Sequence, residues 1–351
     1  MATEATATGA TTLTALQLDP AHLVALTIIV SLWLYVLSGG ADFGGGVLDL
    51  LARGPRKAAQ RRTIAEAIAP IWEANHVWLI LVVVLLFVAF PNAYAAICTA
   101  LHIPLVVLLA GIILRGAAFT FAAYDTGPGR SERAAAWGRV FAWASAVTPI
   151  MLGVCLGATA SGALRVGGDG RVLVGFVEAW WAPFPFAVGL LTLTLCTQLA
   201  AVYLAAEASR RDEALAGDFR TAGLGASVAV FGAAWAAMAL ASDGAPWLAG
   251  RLLEGPLALA AHALAAGGGA ATVGLLWLRR YGAARLAVIV QASALVLGWA
   301  VAQAPILVVP DVTVANAAAP DSVLVPVLWA LLAGALLLVP ALWWLLRVFK
   351  R

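Results

Sequence analysis

Residues 64–90, IAEAIAPIWEANHVWLILVVVLLFVAF, set Glu66, Glu73, Asn75 and His76 at the head of a run that is otherwise soluble in lipid. A carboxylate at membrane depth costs roughly 2.5–3.5 kcal/mol on insertion scales unless it is protonated, paired or hydrated. Glu66 and Glu73 are seven residues apart and His76 follows Glu73 by three, so one helix through all three carries them on nearby faces. Pro70 withholds an amide from such a helix and can free a carbonyl for water. Rising ionisable groups of this kind are what a proton relay needs; the competing reading is a polar cluster that glues helices together. Glu66 taken alone reads as a near-interface acid.

A second acid stands in SGGADFGGGVLDLL, where Asp42 is flanked by glycines. Gly40 and Gly44 form a GxxxG spacing that lets another helix approach closely. The stretch lacks the GxxxxGK[ST] of a phosphate loop. Asp42 is either an interfacial acid or a carboxylate in a buried polar path. Arg115, in ILRGAAF, either snorkels to the surface or pairs with an acid. His102 and His262 lie in apolar runs and read as satisfied buried histidines. Asp125, Glu132, Asp212, Glu213 and Asp218 read as solvated loop charges, and Glu178 as an interface marker beside Trp180 and Trp181.

Haem and metal chemistry find no support in the residue pattern. Four His and three Met are scattered, with no CxxCH, HExxH or two-His-carboxylate grouping. No residue reads as a catalytic centre or metal ligand. Cys98, Cys155 and Cys196 have no CxxC spacing and read as small buried hydrophobes.

The elements that must position these groups are membrane helices. Of the 351 residues 63% are hydrophobic and 11% charged, and the mean hydropathy is +0.95; soluble chains carry about a quarter charged residues. The net charge of +3 is no sign of nucleic acid, because the basic residues sit in short loops between apolar runs. About 20 apolar residues are needed per crossing. Nine spans follow, at roughly 21–50, 71–90, 94–122, 136–163, 180–207, 220–241, 254–278, 284–304 and 323–349. Alternating loops then place 18 of the 21 basic residues on one side, with only Arg165, Arg171 and Arg251 on the other. The positive-inside rule puts the N-terminus outside and the C-terminus in the cytoplasm. The segment before the first span has no basic n-region, so that span is expected to remain as a membrane helix. Residues 1–20 form a short extracytoplasmic segment and 21–351 a single transmembrane domain.

GGADFGGG followed by a basic loop, then IAPIWEANHVWLI, FPNAYA and ILRGAAFTF, resembles subunit II of cytochrome bd-type quinol oxidases. The segment QAPILVVPDVTVANAAAPDSVL resembles the same family, and WEANHVW is similar to its cyanide-insensitive branch. The likeness is densest over 35–122 and 299–349. It implies an all-α protein of nine helices, two four-helix bundles plus one peripheral helix, in the bacterial cytoplasmic membrane. It also implies a haem-bearing subunit I as partner, holding two b haems and haem d or a variant, and in some complexes a small accessory transmembrane subunit. The complex oxidises quinol and reduces oxygen to water with protons from the cytoplasm. Subunit II carries no haem, contributes part of a proton path and in some members holds a structural quinone.

Carried over by position, Asp42 matches the second acid of the family's D-G-F-D-L-G stretch, and Glu73 stands where many members have Asp. Asn75 and Trp78 match neighbours in the motif, while His76 occupies a variable position. Gly39 departs from the pattern by replacing the first acid. The expected path is therefore Asp42 and Glu73 with His76 and Asn75 as hydrogen-bonding supports, and Glu66, Trp78 and Arg115 in attendance. Competing functions are a proton-coupled secondary transporter, which would use the same buried acids without redox chemistry, and a purely structural assembly subunit.

Overall fold

The computed structural model describes residues 19–68, 72–124 and 130–349; the side chains of Trp72 and Glu73, and of several residues beside the gaps and toward Phe349, lie outside the described residues. So do Pro70, Asp125 and all but the last two residues of the expected extracytoplasmic segment.

Among the described residues thirteen helices follow in order: α1 Pro20–Leu51, α2 Lys57–Ile68, α3 Trp72–Ala89, α4 Pro91–Ala100, α5 His102–Tyr124, α6 Arg130–Ser161, α7 Pro183–Ala208, α8 Glu213–Gly244, α9 Pro246–Leu253, α10 Pro256–Trp277, α11 Tyr281–Gln303, α12 Val314–Ala317 and α13 Asp321–Phe349. Between α11 and α12 lies an antiparallel hairpin of β1 Ile306–Val308 and β2 Val312–Thr313. Local chemistry sets many of the starts. Asp19 caps α1 by accepting from the His22 amide, with Pro20 at the first turn, where no amide is needed. Asp212 caps α8 through the amides of Ala214 and Leu215. Thr313 and Asn316 close a reciprocal capping box on α12.

Among the described residues eight helices are long and apolar enough to cross a membrane, and a ninth crossing is made if α3 and α4 count as one bent pair. The chain is thus an all-α, multi-pass membrane protein, as expected. Helices α1, α3, α5 and α6 pack on one another, as do α7, α8, α10 and α11; α1 and α6 join the two sets through α7. Peripheral α13 touches α1 and α3, and only 6% of its apolar window is buried.

The α1–α7 seam needs glycine. A Cβ at Gly44 would overlap the Cys196 carbonyl, and one at Gly40 would stand 3.3 Å from the Cys196 Sγ, so the GxxxG spacing does bring a second helix close. Basic-loop segments meet on one face of the molecule through Arg56–Asp218, Arg211–Glu66 and Arg279–Glu213. The opposite face is capped by the hairpin, held by Val309 N–H to the Thr159 carbonyl and by Arg165 on Asp311, whose carboxyl that bond keeps below the usual range. Cys98 is half-buried, Cys155 and Cys196 are buried, and all three are free thiols.

Three expectations are corrected. The third span does not run from 94. α4 ends at Ala100 and Leu101 leaves helical geometry before α5 begins, while α4 itself turns 117° from α3 at Phe90 and Pro91; the crossing is α5 alone, from His102. Hydropathy does not register such a break, so it merged the two helices. Glu66, on α2, is more than half exposed and 3.5 Å from Arg211, as a near-interface acid would be; the link from it to the helix of His76 runs through residues 69–71, outside the described residues. Glu132, Glu213 and Asp218 are not loop charges. Glu132 is in the first turn of α6, Glu213 and Asp218 are in the first turns of α8, and Asp218 holds Arg56 and Gln60, while Asp212 stays at the end of the loop as the α8 cap. His102 is half-buried and His262 exposed, each with Nδ1 on a carbonyl three or four residues earlier.

Candidate functional site

In the first set of helices a polar centre sits within the apolar interior. Asp42 on α1 and Arg115 on α5 are almost fully buried, their side chains each 2% exposed, and Nη2 of Arg115 stands 2.5 Å from Oδ1 of Asp42. Asp42 lies nine residues before Leu51, the end of α1, so it is ~14 Å from the basic end of that helix. Arg115 has chosen an acid rather than the surface. Its Nε donates to Ser145 Oγ of α6 at 3.1 Å, and Nη2 also reaches the Asp42 carbonyl at 3.4 Å. The guanidinium carbon is 5.1 Å from the ring centroids of both Phe43 and Phe141, a cation–π sandwich that replaces water around the charge.

The pair is ionic contact without an aligned hydrogen bond. Both Asp42 oxygens, and Nδ2 of buried Asn75 on α3, find no hydrogen-bond partner among the described residues. Buried polar groups left this way cost about 1–3 kcal/mol each, more when charged. Ser145 lies where Gly46 offers no Cβ; a side chain there would overlap its hydroxyl.

His76, half-buried on α3, lies with Nδ1 3.4 Å from the Tyr35 hydroxyl of α1, its ring 5.9 and 6.0 Å from those of Tyr35 and Phe43. Trp78 packs half-buried against the Tyr35–Phe43–Cys196 cluster. Asp42, Arg115, His76 and Trp78 thus converge on one region, with Asn75 buried next to His76 in the chain, while Glu66 does not join it. The backbone of Glu73 is in the first turn of α3, two residues before Asn75, and its side chain lies outside the described residues.

Tyr35, Phe43, Ser145 and Phe141 are the residues sequence reasoning missed. Tyr35 is seven residues before Asp42, hence on the same face two turns away, and that spacing was the available signal. Ser145 and Phe141 gave none, because a serine and an aromatic in an apolar helix are ordinary.

The class that the architecture defines is an all-α, multi-pass membrane protein with two four-helix sets, one peripheral helix and a carboxylate–guanidinium pair buried in the first set. The family model for cytochrome bd terminal oxidase subunit II matches residues 20–349, and the chain belongs to that family. It is similar to cytochrome bd ubiquinol oxidase subunit 2 of Bacillus subtilis (strain 168), 34% identical over 119 residues, which are 33% of this chain and 32% of that protein. It is also similar to cytochrome bd-I ubiquinol oxidase subunit 2 of Escherichia coli (strain K12), 30% identical over 128 residues, 35% and 31% of the two chains. The chain thus matches about a third of the length of these curated relatives. A chain of the bd oxidase structure from Geobacillus thermodenitrificans shares the fold, with a TM-score of 0.77 at 21% identity over 94% of this chain and 98% of that one.

Proposed function

We propose that this chain is the haem-free subunit of a bd-type terminal oxidase that oxidises quinol and reduces oxygen to water. In it the chain stabilises a haem-bearing subunit I and leads protons inward from the basic, cytoplasmic face. The observation that supports a proton role is the Asp42–Arg115 centre, an ion pair buried at membrane depth whose carboxylate has no aligned hydrogen bond among the described residues.

The centre can change protonation without collapsing. When Asp42 takes a proton, Arg115 keeps Ser145 Oγ, the Asp42 carbonyl and two aromatic faces as partners. Its charge is therefore not left bare, and the proton on Asp42 can be passed on. Glu73 is the proposed feeder on the α3 side, with Asn75 Nδ2 and His76 as hydrogen-bonding supports. Redox chemistry is assigned to haems in the partner. The groups gathered here are a carboxylate, an amide, an imidazole and a central guanidinium, and that cation opposes a metal ion; the set does not fit iron. Among the described residues no three His, Cys, Asp or Glu are grouped for metal binding. Quinone, the second implied ligand, has no residue here assigned to it, and the small accessory subunit no assigned face.

The test is oxygen consumption by the intact complex carrying Asp42→Asn or Glu73→Gln. Loss of a positioned proton carrier is expected to slow turnover roughly 10²-fold or more. Unchanged rates in both variants would leave only the assembly role standing. A colourless chain that purifies alone and moves a solute would overturn the oxidase reading in favour of a transporter.

A further inference from the structure

We propose that Tyr35 is a positioning residue of this proton path, setting the tautomer and orientation of His76, and that Gly39 is glycine in order to admit the Tyr35 ring. The proposal rests on the proton role given above to the Asp42 centre.

Tyr35 is 1% exposed and clusters with Phe43 and Cys196, against which Trp78, Leu79, Ile112 and Leu152 pack. A buried hydroxyl without a partner is costly. The acceptor the structure offers it is His76 Nδ1, at 3.4 Å. With the Tyr35 O–H donating to Nδ1, the neutral imidazole carries its proton on Nε2, which becomes the donor end facing away from Tyr35. When His76 takes a second proton, at Nδ1, the hydroxyl rotates and accepts from it. One group thus serves both protonation states of the imidazole, and the ring keeps one orientation.

The glycine follows from the same geometry. A Cβ at position 39 would stand 2.8 Å from Cε2 and 3.0 Å from Cδ2 of Tyr35. The ring cannot withdraw freely, since Phe43 lies edge-on at 6.2 Å and His76 at 5.9 Å. A side chain at 39 therefore pushes the hydroxyl off His76. Among the described residues the charged or titratable groups around the Tyr35–His76 pair are Asp42 from α1, Arg115 from α5 and Cys196 from α7, and none of them supplies the hydrogen bond to Nδ1; the Glu73 side chain, on α3 itself, lies outside the described residues.

The experiment compares Tyr35→Phe, Gly39→Ala and Asp42→Asn in the intact oxidase complex, reading oxygen consumption across pH together with the amount of assembled, haem-loaded complex. Tyr35→Phe keeps the ring and removes the hydroxyl. The expected result is a roughly three- to tenfold slower rate at full assembly. The acid limb is expected to move to lower pH by roughly half a unit or more, because the lost bond is stronger to the imidazolium than to the neutral ring. Gly39→Ala, which keeps every titratable group, should move the limb the same way by a smaller amount. If Tyr35→Phe leaves both rate and profile unchanged while Asp42→Asn is slow, Tyr35 is only packing and the inference is overturned. If Asp42→Asn is also unchanged, the proton path itself has failed. A fall in rate at an unmoved profile, tracking the amount of complex, also overturns the inference, since a merely structural tyrosine would do that.

Discussion

Each set of four helices encloses a polar centre, and the two differ in charge. In the first set Asp42 and Arg115 face each other between α1 and α5, with Ser145 of α6 beside them. In the second, Gln198 of α7 donates to Ser227 Oγ of α8 at 3.0 Å and to Gln291 Oε1 of α11 at 3.1 Å. Asp42 lies nine residues from the end of α1 and Gln198 ten from the end of α7, so the two centres sit at similar depth. Both are tightly buried, and both leave an atom without a partner among the described residues, Oε1 in the case of Gln198. The neutral centre does what polar glue does in a membrane, contributing about 1 kcal/mol or less per bond. The charged centre costs several kcal/mol of desolvation per ion and gains little that a neutral bond would not. Holding helices together therefore does not account for the charge. The contrast between the sets favours a proton-handling role for the first and a packing role for the second.

Removing one ion of the charged centre should have the largest effect. Arg115→Met leaves Asp42 buried without its cation, at a cost of about 3–5 kcal/mol. Thermal unfolding of the purified complex, or its yield, should show a severe loss, partly recovered by adding Asp42→Asn, which removes the stranded charge. If Arg115→Met is as stable as the native chain, the two centres are energetically alike and the contrast is broken.

The neutral centre should respond weakly. Gln198→Leu removes two hydrogen bonds together with the orphaned oxygen, for a net change of about 1–2 kcal/mol at most. Oxygen consumption per assembled complex should match the native rate. A Gln198→Leu complex that assembles but turns over slowly would show that the second set also carries protons.

The smallest effect is expected at the capped face, outside both centres. The hydrogen bond from Arg165, followed by desolvation that partly opposes it, leaves the Asp311 pKa below its ordinary value. A carboxyl lowered by folding adds stability that is fully present above its unfolded pKa, about 3.9, and is lost as pH falls through the lower folded value. Stability of the complex should therefore be indifferent to this pair between pH 5 and 8. Asp311→Asn should flatten the loss below pH 4 and little else, measured as Tm against pH. A change near neutrality would mean that the hairpin is coupled to the polar centre.

Much of this molecule is legible in one dimension. Apolar runs of about 20 residues and alternating basic loops give the number of crossings, because burial in lipid and charge asymmetry are additive along a chain. GxxxG at Gly40 and Gly44 announced a close helix contact, and the acids Asp42 and Glu73 stood out because charge is expensive at depth. Other features had no signature at all. The helix α4 was merged into α5, since the break at Leu101 interrupts the helix without altering hydropathy. Whether Arg115 snorkels or pairs depends on which helix lies opposite it, which no local spacing encodes. Ser145, Phe43 and Phe141 matter only because tertiary packing puts them around its guanidinium. Gly39 read as a missing acid in sequence; the structure shows a Tyr35 ring filling the space, because the volume beside a glycine belongs to whatever packs there. Sequence alone determined that charge is carried into the membrane and on which helices. Only the tertiary structure decided its partners, because an ion pair is a property of two helices brought together by packing.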